Sequence, residues 1–169
     1  MSETLYLRSL QKPLKSRYRE DGSSAFITLH AKASTKDSPV ACSVDLGRAI
    51  QEAYAHEGVG GGGGACSGDL LLGALAACAQ ITCQMVAASM QIETTEIRVT
   101  VEGDLDLRGT LGIAPVAVGF EEIRLHFHVD APKATSEELQ SLYEKTEKYC
   151  VVLQTLLHAP KIRTNVVVA

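Results

Sequence analysis

Two cysteines far apart in the chain, Cys78 and Cys150, are the residues best suited to chemistry. Cys78 closes the apolar run Leu70-Leu71-Leu72-Gly73-Ala74-Leu75-Ala76-Ala77, and Cys150 follows Glu147-Lys148-Tyr149. A thiol in apolar surroundings is inert unless a cation or hydrogen-bond donors stabilise its thiolate. A thiolate stabilised in that way can attack a peroxide oxygen and become a sulfenic acid, which a second thiol traps as a disulfide. Packing is the competing explanation for both residues, since cysteine is among the most buried residue types. Around Cys78 the small residues Ala74, Ala76 and Ala77 leave room beside the sulfur for a substrate or a second chain. Cys150 falls on the apolar face of its helix, at or near the helix end, where a side chain has more freedom.

The remaining cysteines point elsewhere. Cys42 and Cys83 read as space-filling. Cys66 lies beside a glycine-rich loop and reads as exposed and oxidisable. Five cysteines without close pairing do not form the framework of a stapled secreted domain. His126 and His128 share a strand face, with His56 and Cys66 elsewhere, but the ligand spacing of a structural zinc site is missing. Both strand histidines read as solvent-facing. The loop at 60–64 lacks the Gly-Lys-Ser/Thr that follows a phosphate-binding loop; it fits close backbone approach instead. Ser23 and Ser24 have no Gly-x-Ser-x-Gly context, so a serine hydrolase is unsupported.

The elements that position these groups are legible in outline. Residues 24–31, 40–46, 96–102 and 123–129 alternate apolar and polar side chains, the signature of strands with one buried face. The β-branched run 162–168 reads as a closing strand. The stretch 70–90 is apolar almost all round and predicts a buried central helix. Ser67 or Asp69 could cap it. Its length suits a membrane span, but Gln80, Thr82, Gln84 and Ser89 interrupt it and no basic or aromatic flank marks an interface. A second, amphipathic helix starts at Thr135 and Glu138, which have capping-box spacing, and carries Leu139, Leu142, Tyr143, Thr146 and Cys150 on one face. Strands, a buried helix, more strands and an amphipathic helix make an α+β fold with an antiparallel sheet, curved over the buried helix, not a regular βαβ array. One curved sheet covers only one side of the buried helix. The other side then calls for a second copy of the chain, in an intertwined homodimer.

Composition bounds the whole. The 169 residues form one domain, 1–169, and 46% of them are hydrophobic, enough for a core. A net charge of −4, no basic run, no Trp and 5% aromatic residues make nucleic acid or an anionic membrane a poor partner. Residues 1–19 show no apolar signal region, so the expected compartment is the reducing cytoplasm.

At Leu75-Ala76-Ala77-Cys78, Tyr149-Cys150-Val151-Val152, Cys66-Ser67-Gly68-Asp69-Leu70-Leu71-Leu72 and Arg108-Gly109-Thr110-Leu111-Gly112, the chain resembles the OsmC/Ohr family of peroxide-handling proteins. The resemblance to the family runs from roughly the Asp21-Gly22 turn onward, and the last two of these segments also look like an OsmC-like subgroup. The resemblance implies an intertwined homodimer with active sites at its interface. It implies that Cys78 is the peroxidatic thiol, that Cys150 is the resolving thiol, and that an external dithiol such as a lipoyl group restores both, without metal or flavin. In the best-studied branch a Pro follows the second cysteine, an Arg after a Gly-Gly turn holds the thiolate, and a Glu stands ten residues before the first cysteine. Here Val151 follows Cys150 and Gly68 holds the Glu position, with Asp69 beside it. Arg17, Arg19 and Arg48 are the available cations, Arg19 being favoured.

The leading reading is therefore a thiol peroxidase acting on organic hydroperoxides. A second is an OsmC-fold protein without efficient peroxidase activity, serving as a redox sensor or small-molecule binder. A third is a hot-dog-like thioesterase, for which Asp69 is the only carboxylate near the helix.

Overall fold

The computed structural model describes residues 32–35, 41–45, 50–59, 64–112 and 115–168, together with positions 12 and 20. The expected strand at 24–31 and Arg17, Arg19 and Arg48 lie outside the described residues. Among the described residues there are two antiparallel sheets. Strands β1 (Lys32–Thr35), β2 (Ala41–Asp45) and β3 (Ile50–Tyr54) form a meander in that order. Strands β4 (Glu96–Leu105) and β5 (Phe120–Asp130) form a long two-stranded ribbon. Between β3 and the central helix lies a 3-10 turn, Glu57–Val59.

The ribbon is built by alternation. Ile97, Val99 and Val101 are half-buried and stand opposite Val129, Phe127 and Leu125, while Arg98, Thr100 and Glu102 face outward. Apolar side chains on one face of paired strands give the sheet a side that must be covered. The central helix, α1 (Ser67–Met90), covers it. The Gln80 side-chain amide donates to the Ile97 carbonyl at 2.8 Å and ties the helix to β4.

At its start α1 is capped from Cys66, whose N–H donates to the Asp69 carboxylate at 2.8 Å. Of the two expected caps, Asp69 therefore closes the box from the third helical position and Ser67 is the first helical residue. Gly64 precedes the cap. A Cβ there would stand 2.8 Å from the Tyr54 ring, so the end of the glycine-rich loop does serve close approach. At its other end α1 stops at Gln91, in the left-handed region at φ 61°.

A one-turn helix, α2 (Leu107–Thr110), links the ribbon strands. The amphipathic helix α3 (Ser136–Tyr149) begins with the expected box: Thr135 Oγ1 accepts from the Glu138 N–H at 3.2 Å, and the Glu138 carboxylate accepts from the Thr135 N–H at 2.9 Å. On its inner face Leu142, Thr146 and Cys150 are fully buried. Tyr143 is more exposed than expected, although its ring meets Phe127 edge-on at 5.7 Å. A last short helix, α4 (Val151–Leu157), follows directly.

One expectation, the closing strand, needs correction. In the single chain the central helix is buried on one stripe, Leu75, Ala79, Cys83 and Ala87, at four-residue spacing, as expected where one chain covers only one side of it. Ile81 and Met85 remain exposed on its other side. Its length and composition would suit a membrane span, yet its buried stripe packs on the ribbon and on α3 and α4. The run 162–168 takes no strand pairing among the described residues, and Val166, Val167 and Val168 are almost fully exposed. β-branched composition favours extended backbone but cannot supply a partner edge. Finally, β3 was not expected, because Gln51 and Glu52 break the apolar alternation that marks its neighbours.

Candidate active site

Cys78 and Cys150 come together. Cys78 stands near the middle of α1, half-buried, and packs against the cluster formed by Leu75, Ala79 and Cys150. Ribbon residues Val99, Val101, Ile123 and Leu125 and the α4 residues Val152 and Leu153 complete its surroundings. Cys150 sits at the junction of two helices, as the last cap of α3 and the first of α4. Its backbone is extended, at φ −73° and ψ 104°.

That break in the helix matters for the chemistry. The first N–H groups of a helix have no carbonyl partner one turn earlier. Intrahelical bonding in α4 begins only when the Gln154 N–H donates to the Cys150 carbonyl, at 2.9 Å. The N–H groups of Val151 and Val152 are left over, and both act as donors toward the Cys78 sulfur. A second bond holds the junction in place: the Gln154 side-chain amide donates to the Glu147 carbonyl at 2.9 Å, linking α4 back to α3.

The electrostatics of the two thiols diverge. Burial pushes the Cys78 thiol up, but hydrogen bonds from the Val152 N–H, the Cys150 thiol, the Thr82 hydroxyl and the Val151 N–H outweigh it, and its pKa falls below the ordinary thiol range. For Cys150 burial is the largest influence and pushes its thiol up. The neighbouring Cys78 pushes the same way, against N–H groups of Leu153 and Val152. Both directions favour placing the pair's first negative charge on Cys78, with Cys150 keeping its proton and donating to it. Among the described residues, the groups that act on Cys78 are hydrogen-bonding dipoles. Thr82 is one turn beyond Cys78 on the same helix face. It and the two backbone donors are the parts of this site that the sequence reading missed. A Cys-x-x-x-Thr spacing inside a helix was the available signal for Thr82; the backbone donors leave none.

The other expected residues lie apart from this pair. Asp69 is engaged with Cys66 at the start of α1, roughly 13 Å along the helix axis from Cys78 at 1.5 Å per residue. Cys83 is buried with its thiol pushed up by burial, and Thr146 is its hydrogen-bonding neighbour. His126 and His128 are exposed on the outer face of the ribbon, 3.9 Å from Glu102 and 3.7 Å from Glu96. Among the described residues, no three His, Cys, Asp or Glu side chains are grouped to hold a metal ion.

Fold and site together define an α+β protein whose central helix presents a cysteine to a second one at a helix junction. The family model described as OsmC-like protein matches residues 60–165, and the chain belongs to the OsmC-like family. Solved structures agree on the fold. An OsmC-like protein from Mycoplasma pneumoniae superposes with a TM-score of 0.66 at 20% identity, over 79% of this chain and 89% of that one. An organic hydroperoxide resistance protein from Elizabethkingia anophelis gives 0.59 at 24% identity, over 80% and 91%. A further organic hydroperoxide resistance protein, from Legionella pneumophila, gives 0.59 at 22% identity, over 79% and 92%. No curated protein matches the chain.

Proposed function

We propose that this chain is a thiol peroxidase that reduces organic hydroperoxides, with Cys78 as the attacking thiol and Cys150 as the resolving one. The observation that carries the reading is the convergence of the Cys150 thiol, the Thr82 hydroxyl and two backbone N–H groups on one half-buried sulfur. The Cys78 thiolate attacks the terminal peroxide oxygen. The O–O bond breaks, the alkoxide takes up a proton and leaves as an alcohol, and Cys78 becomes a sulfenic acid. The Cys150 thiol then attacks that sulfur, an S–S bond forms, and the hydroxyl leaves as water. An external dithiol of lipoyl type reduces the disulfide by two exchanges and is itself oxidised to a cyclic disulfide. The aliphatic surroundings of the pair, Leu75, Val99 and Leu125 among them, favour an organic peroxide over hydrogen peroxide. The working form in this proposal is a homodimer in a reducing, cytoplasmic compartment, its partner covering the exposed side of α1.

The test is stoichiometric oxidation of the whole chain with cumene hydroperoxide. The expected result is one equivalent of cumyl alcohol, loss of two thiols, and a Cys78–Cys150 disulfide mapped by peptide mass. Cys78→Ser should abolish turnover, and Cys150→Ser should stop at a sulfenic acid that dimedone traps. If Cys78 stays reduced while free thiol in the same tube is consumed, the peroxidase reading fails and the sensor or binder reading takes its place.

A further inference from the structure

A cavity of about 610 Å³ opens at the N-terminal end of α1, where the thiol chemistry makes no use of it. Its size is typical of small-molecule sites. Cys66, on its rim, precedes Cys78 by roughly 18 Å along the helix axis, so the two sulfurs cannot meet one substrate atom. The walls are apolar: Leu71, Leu105, Val118 and Phe120. Leu71 and Leu105 are each 39% exposed and Val118 63%, so apolar surface faces the open space. The Phe120 ring reaches the wall because Gly103 carries no side chain; a Cβ there would stand 2.7 Å from it.

Polar chemistry collects at one edge. Asp69 accepts from the Cys66 N–H and from the Cys66 thiol, and these bonds hold its carboxyl below the usual range. The His56 ring lines the same edge of the cavity. His56 Nδ1 accepts from the Gly58 N–H at 3.0 Å, so the neutral ring carries its proton on Nε2. The edge therefore offers an anionic acceptor beside a neutral donor. A hydroxyl group satisfies both, because it donates and accepts. A carboxylate would be repelled by Asp69, and an ammonium has nothing to accept the imidazole proton.

We propose that this cavity is a second binding site, for an uncharged, largely hydrocarbon molecule bearing a hydroxyl group, which meets Asp69 and His56 while its chain lies against Leu71, Leu105, Val118 and Phe120. The site stands on its own geometry and does not depend on peroxidase activity.

The experiment uses 1-decanol and decanoate as probes on the full chain at pH 7, with calorimetry and with the rate of iodoacetamide labelling at Cys66 read by peptide mass. Decanol should bind saturably, once per chain, and slow Cys66 labelling by about fivefold while labelling of Cys78 is unchanged. Decanoate should bind about tenfold more weakly, as expected for a like charge placed beside Asp69, and Asp69→Asn should narrow that gap. Val118→Trp, at an exposed wall position, should remove decanol binding with the circular dichroism spectrum intact. Absence of saturable decanol binding overturns the proposal. So does binding that leaves Cys66 unprotected, or equal affinity for the alcohol and the acid. A Cys66 that no reagent reaches would mean that the cavity is filled by protein, which also overturns it.

Discussion

At the residue scale the two thiols differ in the sign of their shifts, and the difference can be read by pH. Cys78 is more acidic in the folded chain than an ordinary thiol, because hydrogen bonds to the sulfur outweigh its burial. Its ionisation therefore favours the folded state. That contribution is fully present above the ordinary thiol pKa and is lost as pH falls through the lowered value. Cys150 has the opposite sign: its contribution is fully present below the ordinary thiol pKa and is lost as pH rises through the raised one. Alkylation of Cys78 should thus reach half its plateau rate at a pH below that of a free thiol, while Cys150 stays unlabelled until higher pH. Thr82→Val removes one donor of similar shape and should move the Cys78 midpoint upward by about one unit, the equivalent of one hydrogen bond of about 1.4 kcal/mol. Iodoacetamide rates between pH 5 and 10, mapped by mass, decide it. An unmoved midpoint would leave the hydroxyl without a part in activation.

At the element scale the helix ends carry the consequences. Gln91 holds φ 61° at the end of α1, a conformation that costs a residue with a Cβ about 1 kcal/mol or more. Gln91→Gly should therefore raise stability by about 0.5–1 kcal/mol in urea titration. Leu142→Ala, at a side chain 1% exposed between α3 and the core, should lower it by about 2–5 kcal/mol. These elements were also the most legible ones. Thr135 and Glu138 announced α3 because a capping box is local, and Ile97, Val99 and Val101 announced β4 because the pleat has a period of two. The strand β3 was hidden by Gln51 and Glu52, and 162–168 was misread because pairing is not local. At the site, Cys78 and Cys150 were visible as residue types and through a family resemblance. The hydrogen bonds to Cys78 were legible only in part: Cys-x-x-x-Thr spacing marks Thr82, but the N–H groups freed by the helix break at Cys150 leave no mark in side-chain sequence.

At the scale of the whole molecule, the second side of α1 stands uncovered in the single chain. The helix carries apolar residues nearly all round, yet one chain buries only the stripe through Leu75, Ala79, Cys83 and Ala87. Ile81 is 56% exposed and Met85 41%, and Val166, Val167 and Val168 add further uncovered apolar surface. Patches of this kind mark interaction sites in well-behaved proteins. A stable homodimer needs roughly 800 Å² from each partner, which a 24-residue helix can supply a large part of. Ile81→Glu tests this cleanly. The position is already exposed in the single chain, so a carboxylate there should leave the fold intact, with unchanged circular dichroism. In a dimer it would bury a charge without a partner, a cost of about 3–5 kcal/mol, or a loss of association of more than about 100-fold. Sedimentation at micromolar concentration should then show the unsubstituted chain as a dimer and Ile81→Glu as a monomer, with Met85→Glu behaving alike. If the unsubstituted chain sediments as a monomer, or both variants remain dimeric, the exposed side of α1 is not where two copies meet, and the proposed working form has to be abandoned.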